Sequence, residues 1–386
     1  MDKKTVAVFF GAKSPEHDVS IVTAISSIIK PLELLGHTVV PVYIAKNGDW
    51  FTGDELADIR TYQTGRIDEI MSKQTPTTMS FNDGLTLISK KKTWKIDIAF
   101  PATHGAYGED GSLMGLLRMA GVPFVGCDME ASVVAMNKVL SKQVAEANDI
   151  LTPKYVSFLT AEFNADRQKC VRLVNDNLKY PVFVKPPHLG SSIGITKVKE
   201  SGDLENALEV AAFYDDVILV EEGVNNLIEV TVPIIGNDEL IVANVERPVK
   251  LTDEFFDFES KYINGGKKGG KKGGGKGKQG AQGYSEIPAK LPGDLYKRSE
   301  DVAQRVYKVV GLGGIARIDL LIDEKAGKIY FNEINPLPGS LYAHNWAMKG
   351  ISNVALVEKL LDYAIEAFEK RAHINTTFQT SFLKQF

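Results

Sequence analysis

The stretch that decides the fold is Ile315-Ala316-Arg317-Ile318-Asp319-Leu320-Leu321, followed by Ile329-Tyr330-Phe331-Asn332-Glu333-Ile334-Asn335-Pro336. Each run reads as an apolar strand carrying polar side chains two residues apart. Strand side chains alternate between faces, so Arg317 and Asp319 share one face, and Glu333 and Asn335 share one face of the neighbour. If the strands pair, four polar groups converge. Burying Asp319 beside Glu333 with no cation costs several kcal/mol and would force one carboxylate to take up a proton. A divalent metal removes that cost. Two carboxylates and an amide oxygen form a hard oxygen set of the kind that holds Mg2+ while leaving room for water and phosphates. The bland alternative is a β-ladder whose polar face is simply wet.

Working outward, 386 residues exceed one ordinary core and predict two or three domains. A net charge of -4 gives no global attraction to nucleic acid or to an anionic membrane. No apolar run approaches the roughly 20 residues that span a bilayer. Thr5-Val6-Ala7-Val8-Phe9-Phe10-Gly11 is too short for a secretion signal and reads as a first strand. Cys127 and Cys170, the only cysteines, lack metal-type spacing and fit a reducing cytoplasm.

Strand and helix patterns alternate over the first ~125 residues, which predicts α/β architecture: a doubly wound parallel sheet with strands near 5–11, 39–44, 96–101 and 122–125 and helices near 19–35 and 112–119. In such sheets ligands sit beyond the carboxyl ends of strands, where Gly11 to Ser20 and Thr103 to Gly111 lie. Apolar positions over 131–148 predict one helix with Lys138 and Lys142 a turn apart. Beyond Pro153 the pattern becomes α+β, with strands near 182–186, 195–198, 217–222, 228–236 and 239–246, helices near 163–178 and 203–213, and a last helix over 354–371. Gly265 to Gly280 holds nine glycines, six lysines and one glutamine and predicts a solvated loop or lid. Its lysines also suit phosphate or an RNA backbone. It is no P-loop, because Lys272 stands where a Ser or Thr should follow Gly270-Lys271.

A second clue is Pro181-Val182-Phe183-Val184-Lys185-Pro186-Pro187-His188-Leu189-Gly190-Ser191-Ser192-Ile193-Gly194-Ile195. A lysine at a strand end precedes a glycine-serine turn whose successive N–H groups can form an anion nest. With Lys138 and the carboxylate pair, the set reads as a site for ATP with Mg2+, Mn2+ being the alternative ion.

These motifs together resemble the D-alanine:D-alanine ligases of the ATP-grasp superfamily. The resemblance runs over most of the chain: Glu16-His17-Asp18-Val19-Ser20, His104 to Gly111, Ala135-Met136-Asn137-Lys138, Lys185 with Gly190 to Gly194, Val220-Glu221-Glu222, Glu259-Ser260-Lys261-Tyr262, Arg317-Ile318-Asp319 and Glu333 to Pro336 stand in the family's order. It implies an ATP-grasp fold with an N-terminal domain over 1–127, a central subdomain over 128–215 and a C-terminal subdomain over 216–386 carrying the loop 265–280. By the same resemblance Lys138, Lys185 and Ser192 hold the phosphates of ATP, Glu221 and Glu222 face adenine, Glu229 takes the ribose, and Lys261 approaches the transferred phosphate. Asp319, Glu333 and Asn335 carry magnesium. Glu16 binds the ammonium of the first D-alanine and is linked through Ser191 to Tyr262, while His104 lies near that substrate's carboxylate. Arg317 and the Gly339 N–H are the implied oxyanion donors. A cytoplasmic homodimer acting on D-alanine and ATP, with no membrane or nucleic-acid partner, completes the expectation.

The chain departs from the pattern in places. His344 and Asn345 stand where relatives carry a serine-leucine pair that binds the second substrate's carboxylate, which opens D-serine, D-lactate or another amino acid as second substrate. Met114 replaces a common glutamine, and Ile228-Glu229 alters the usual Arg-Glu. A nucleotide- or RNA-binding protein without ligase activity is the reading outside enzymology.

Overall fold

A computed structural model describes residues 2–63, 65–90, 92–248, 285–377 and 379–386. Lys261, Tyr262 and the loop 265–280, singled out above, lie outside the described residues. The first sheet orders its strands Trp50–Thr52, Thr38–Ile44, Thr5–Gly11 and Ile98–Pro101. The last three run parallel and Trp50–Thr52 adds an antiparallel edge, so the sheet is mixed rather than wholly parallel. The strand expected over 122–125 reduces to one bridge, Phe124 to Ala99. Pro123 has no N–H to donate and only its carbonyl joins, to Ala99 N at 2.8 Å. A small antiparallel sheet of Thr78–Ser80, Thr86–Ile88 and Thr93–Lys95 was not foreseen.

The central sheet orders Thr196–Val198, Val182–Lys185, Val217–Glu222 and Tyr155–Leu159, antiparallel throughout. The third sheet orders Leu240–Val242, Leu227–Gly236, Ile315–Asp323 and Lys328–Asn335, also antiparallel. Its pairing sets Arg317 opposite Asn335 and Asp319 opposite Glu333, the register the alternation requires. A bulge follows Asp319 and re-aims the strand next to these polar groups. A cleft opens between the two antiparallel sheets, with Phe183, Lys185 and Glu221 on one wall and Glu229, Leu320 and Glu333 on the other.

Two helical segments depart from simple periodicity. The segment beginning at His17 runs as Thr23–Ile29 through π-type turns before Lys30–Leu34, placing Thr23 on its buried side. The helix expected over 131–148 is two, Met129–Met136 and Lys138–Ala147. Asn137 breaks it: its backbone leaves helical values and its Oδ1 accepts from Val139 N and Leu140 N, both at 3.0 Å, capping the second helix. The final helix Asn353–Ala372 sends Leu356, Val357, Leu360 and Leu361 into a core shared with the N-terminal strands, so the two ends of the chain are packed as one body.

Candidate functional site

The polar face of the paired strands is braced by cations of the chain itself. Arg317 holds Asp319 with two bonds, Nε to Oδ1 at 2.8 Å and Nη2 to Oδ2 at 2.6 Å. Asn335 Nδ2 donates to Asp319 Oδ2 at 3.2 Å, and Lys138 Nζ lies 3.2 Å from Glu333 Oε2. Two neighbouring carboxylates can both stay ionised only with such compensation. Asp319, Glu333 and the Asn335 amide oxygen therefore fit a divalent cation: a hard oxygen set in a partly buried cleft. The Tyr342 ring covers Arg317, with the guanidinium carbon 5.2 Å from the ring centroid.

Lys185, at the end of its strand, is ion-paired with Glu221. The other Glu221 oxygen meets Lys142 Nζ at 2.5 Å, and Lys142 is wholly buried. Burial alone would raise the Glu221 pKa, but Lys142 and Lys185 outweigh it and hold it at about 2. Burial depresses the pKa of Lys142 despite Glu221. Lys142, noted in the sequence only for lying a turn from Lys138, turns out to anchor the carboxylate that positions Lys185. Glu222 accepts from Lys179 N at 2.9 Å and, with Glu229, lines the cleft.

Across the cleft, the turn after Lys185 bends through left-handed conformations at Ser191, Ser192 and Gly194, with φ of 54°, 60° and 71°. A Cβ on Gly194 would meet Pro186 at 3.0 Å and the Tyr214 ring at 2.9 Å, so glycine is required there on both counts. Lys138 ties this loop to the carboxylate face of the paired strands, its Nζ donating to Leu189 O at 2.7 Å while also reaching Glu333. Ser192 lines the cleft.

Beyond the loop, Ser191 Oγ donates to Glu16 Oε1, joining the N-terminal region to the glycine-serine loop. Glu16 is crowded by backbone: a Cβ on Gly105 or Gly190 would come within 3.0 Å of its Oε2. Burial, then the nearby Glu109, raises the pKa of Glu16. His104 is buried, with Nε2 3.0 Å from Thr23 Oγ1 and Nδ1 3.9 Å from Glu109 Oε2. Burial opposes its protonation, yet Glu109 and Glu16 prevail and raise its pKa. Glu109 accepts from Gly105 N at 2.8 Å and Leu337 N at 3.0 Å. Glu109 lies within the His104 to Gly111 motif, where sequence alone gives it no role. Its signal was a carboxylate in a glycine-rich turn, where only a fold can say which N–H groups it faces. The result is a partly buried pair of carboxylates, chemistry suited to an ammonium group, beside the glycine-serine loop.

Gly339 opens the turn Gly339–Tyr342, in which Ser340, Leu341 and Tyr342 all take left-handed φ between 51° and 54°. Three such residues in sequence cost of order 1–3 kcal/mol each, so the surrounding contacts must hold them. Thr23 Oγ1 accepts from Ser340 N at 3.0 Å, and Tyr342 Oη lies 3.2 Å from Thr231 Oγ1. The expectation for Asn345 needs correcting. Its Oδ1 accepts from Asn244 N, and its Nδ2 donates to Asn244 O and Glu246 Oε2, each at 3.0 Å. Fully buried and committed within the chain, it presents no donor to a ligand. His344 stacks on Tyr342 at 4.6 Å and bonds Glu246 Oε2 at 3.0 Å through Nε2, with its ring half-exposed. Glu246 and Tyr342 went unnoticed in the sequence because neither lies in a motif.

The model of the D-ala D-ala ligase N-terminus matches residues 5–127 and that of the D-ala D-ala ligase C-terminus matches 144–362. A D-alanine--D-alanine ligase of Chlorobium limicola is 38% identical over 383 residues, covering 95% of this chain and 98% of that protein. Among solved structures, the D-alanine-D-alanine ligase from Coxiella burnetii superposes with a TM-score of 0.78 at 24% identity, covering 96% of this chain and 97% of that one. The VanG D-Ala:D-Ser ligase from Enterococcus faecalis does so with a TM-score of 0.77 at 31% identity, over 94% of this chain and 100% of that one. Matched by these family models over most of its length and by a relative at 38% identity, the chain belongs to the D-alanine–D-alanine ligase family of ATP-dependent ligases.

Proposed function

We propose that this chain joins D-alanine to a second D-alanine, using ATP to form an acyl phosphate and releasing ADP and phosphate. The observation that carries the reading is Lys138. Its Nζ touches both the glycine-serine loop at Leu189 O and the carboxylate of Glu333, so phosphate-binding and cation-binding elements meet at one point. A carboxylate is a poor electrophile, and its phosphorylation demands positioning and charge neutralisation more than covalent help. Lys138, Lys185 and Ser192 receive the phosphates, Glu221 and Glu222 lie towards the adenine, and Glu229 takes the ribose. Asp319, Glu333 and Asn335 would hold Mg2+, or Mn2+ by the same oxygen chemistry, which neutralises phosphate charge when bound. Glu16 grips the ammonium of the first substrate, Ser191 fixes that carboxylate, and His104 faces the substrate's acid group. Arg317, pinned by Asp319 and Tyr342, and the Gly339 N–H stand ready for the oxyanion formed when the second amine attacks.

A second reading concerns the second substrate alone. Asn345 is sealed inside the chain and the half-exposed His344, held from behind by buried Glu246, forms the neighbouring surface, which favours a partner bearing a hydrogen-bonding group, such as D-serine or D-lactate. A cytoplasmic location, in keeping with two buried free cysteines, and a homodimer, drawn from family membership, belong to the same proposal; no described helix is long and apolar enough to cross a membrane. The test is ATP-dependent phosphate release with D-alanine, alone and paired with D-serine, D-lactate and L-amino acids, with products identified by mass. D-alanyl-D-alanine from D-alanine alone is the expected result. A product formed only in mixed pairs would transfer the claim to that partner, and no release with any pair would end the ligase reading.

A further inference from the structure

His188 sits in the glycine-serine loop between two elements that the nucleotide reading needs held together. On one side its backbone N donates to Asp215 Oδ2 at 2.9 Å and its Nδ1 lies 2.8 Å from Asp215 Oδ1. Asp215 is buried and fixed in turn by Val217 N at 3.2 Å. On the other side His188 Nε2 lies 2.9 Å from Asn137 Nδ2. The orientation of Asn137 is not free, because its Oδ1 caps the helix that starts at Lys138. Its NH2 group must therefore face the ring, and Nε2 must accept. Nδ1 then carries the proton and donates it to Asp215. The next residue along, Lys138, adds a backbone bond to Pro187 O at 3.3 Å.

We infer that His188 is a positioning residue: as a neutral ring protonated on Nδ1 it latches the loop 186–195 to the helix start carrying Lys138, and protonation of Nε2 opens the latch. A protonated Nε2 would set donor against donor at Asn137, and turning the amide over would uncap the helix. The charged groups facing the ring are Asp215 and Asp216, which favour protonation, and Lys138, which opposes it. The hydrogen bond to Asp215 outweighs burial and raises the His188 pKa, so the latch responds at or above the ordinary histidine range. The consequence for nucleotide affinity rests on the ligase reading above, whereas the protonation state itself does not.

Two measurements test this on the full chain. Imidazole 15N NMR without ligand should show His188 with protonated Nδ1 and bare Nε2 on the alkaline side of its titration. Calorimetric titration with ATP and Mg2+ should show affinity falling about five- to tenfold on the acid side, the loss of roughly one hydrogen bond. In Asn137→Asp one oxygen keeps the cap and the other accepts the Nε2 proton, so the acid-side loss should disappear; in His188→Asn it should disappear with the titrating group. A ring protonated on Nε2 at alkaline pH, or wild-type and Asn137→Asp profiles that run parallel, would overturn the latch. Absence of ATP binding at every pH would instead overturn the nucleotide reading, with the NMR arm still deciding the tautomer.

Discussion

Glu16 shows how one residue takes its chemistry from what surrounds it. Its carboxylate lies among Gly105, Gly190 and Ser191, with Glu109 nearby, and burial followed by that like charge raises its pKa. Only the ionised form attracts an ammonium, so lowering the pH through this raised pKa removes the attraction, and it does so before an exposed carboxylate would titrate. The KM for the first D-alanine should therefore climb on the acid side. Glu16→Gln should raise KM about 10- to 100-fold at neutral pH, the scale of a charge-assisted hydrogen bond, and flatten the acid limb. An unchanged KM in that variant would remove Glu16 from the substrate site. The Glu16-His17-Asp18-Val19-Ser20 motif made Glu16 legible in the sequence, but the lysine that orients Lys185's carboxylate partner was not. Lys142 carries no local signature, because its burial arises from strands and rings far away in the chain, among them Tyr155 and Phe331.

At the scale of elements, the first strand is locked at its end by Gly11. This residue adopts φ of 93°, and a Cβ there would lie 2.3 Å from Ile44 O on the neighbouring strand. Its N–H donates to Ser20 Oγ at 2.8 Å, and that hydroxyl donates to Ala102 O at 2.7 Å, binding the strand, the helix and the end of the neighbouring strand Ile98–Pro101 at the carboxyl end of the sheet. Gly11→Ala should cost about 2–4 kcal/mol, read as a shift of the urea midpoint, since backbone rather than a flexible side chain blocks the added carbon. A midpoint within error of the parent would contradict this account. Alternation and helical spacing predicted most strands and helices here, because both periods follow from backbone geometry alone. They missed the break at Asn137 and the π-type turns at Thr23–Ile29. In both places a polar side chain is claimed by a distant partner, His188 for Asn137 and His104 for Thr23, and local pattern holds no information on that.

On the scale of the whole molecule, the two antiparallel sheets close a cleft in which Lys138 meets Glu333 and Arg317 holds Asp319. ATP with Mg2+ binding there should raise the melting temperature, by the equivalent of about 2–3 kcal/mol at a hundredfold excess over Kd, and EDTA should remove most of the shift. Equal shifts with and without the metal would separate the carboxylate pair from nucleotide binding. The amino-acid sequence by itself determined the ligase family, the facing Arg317-Asp319 and Glu333-Asn335 strands and the glycine-serine loop, since these depend on side-chain type at fixed spacing. The tertiary structure alone decided that Asn345 is sealed against Asn244 and Glu246, that Lys142 supports Glu221, and that His188 bridges Asp215 and Asn137. Those contacts join residues dozens to more than a hundred positions apart, and the hydrogen-bonding and charge of a buried group are set by the neighbours that folding brings to it.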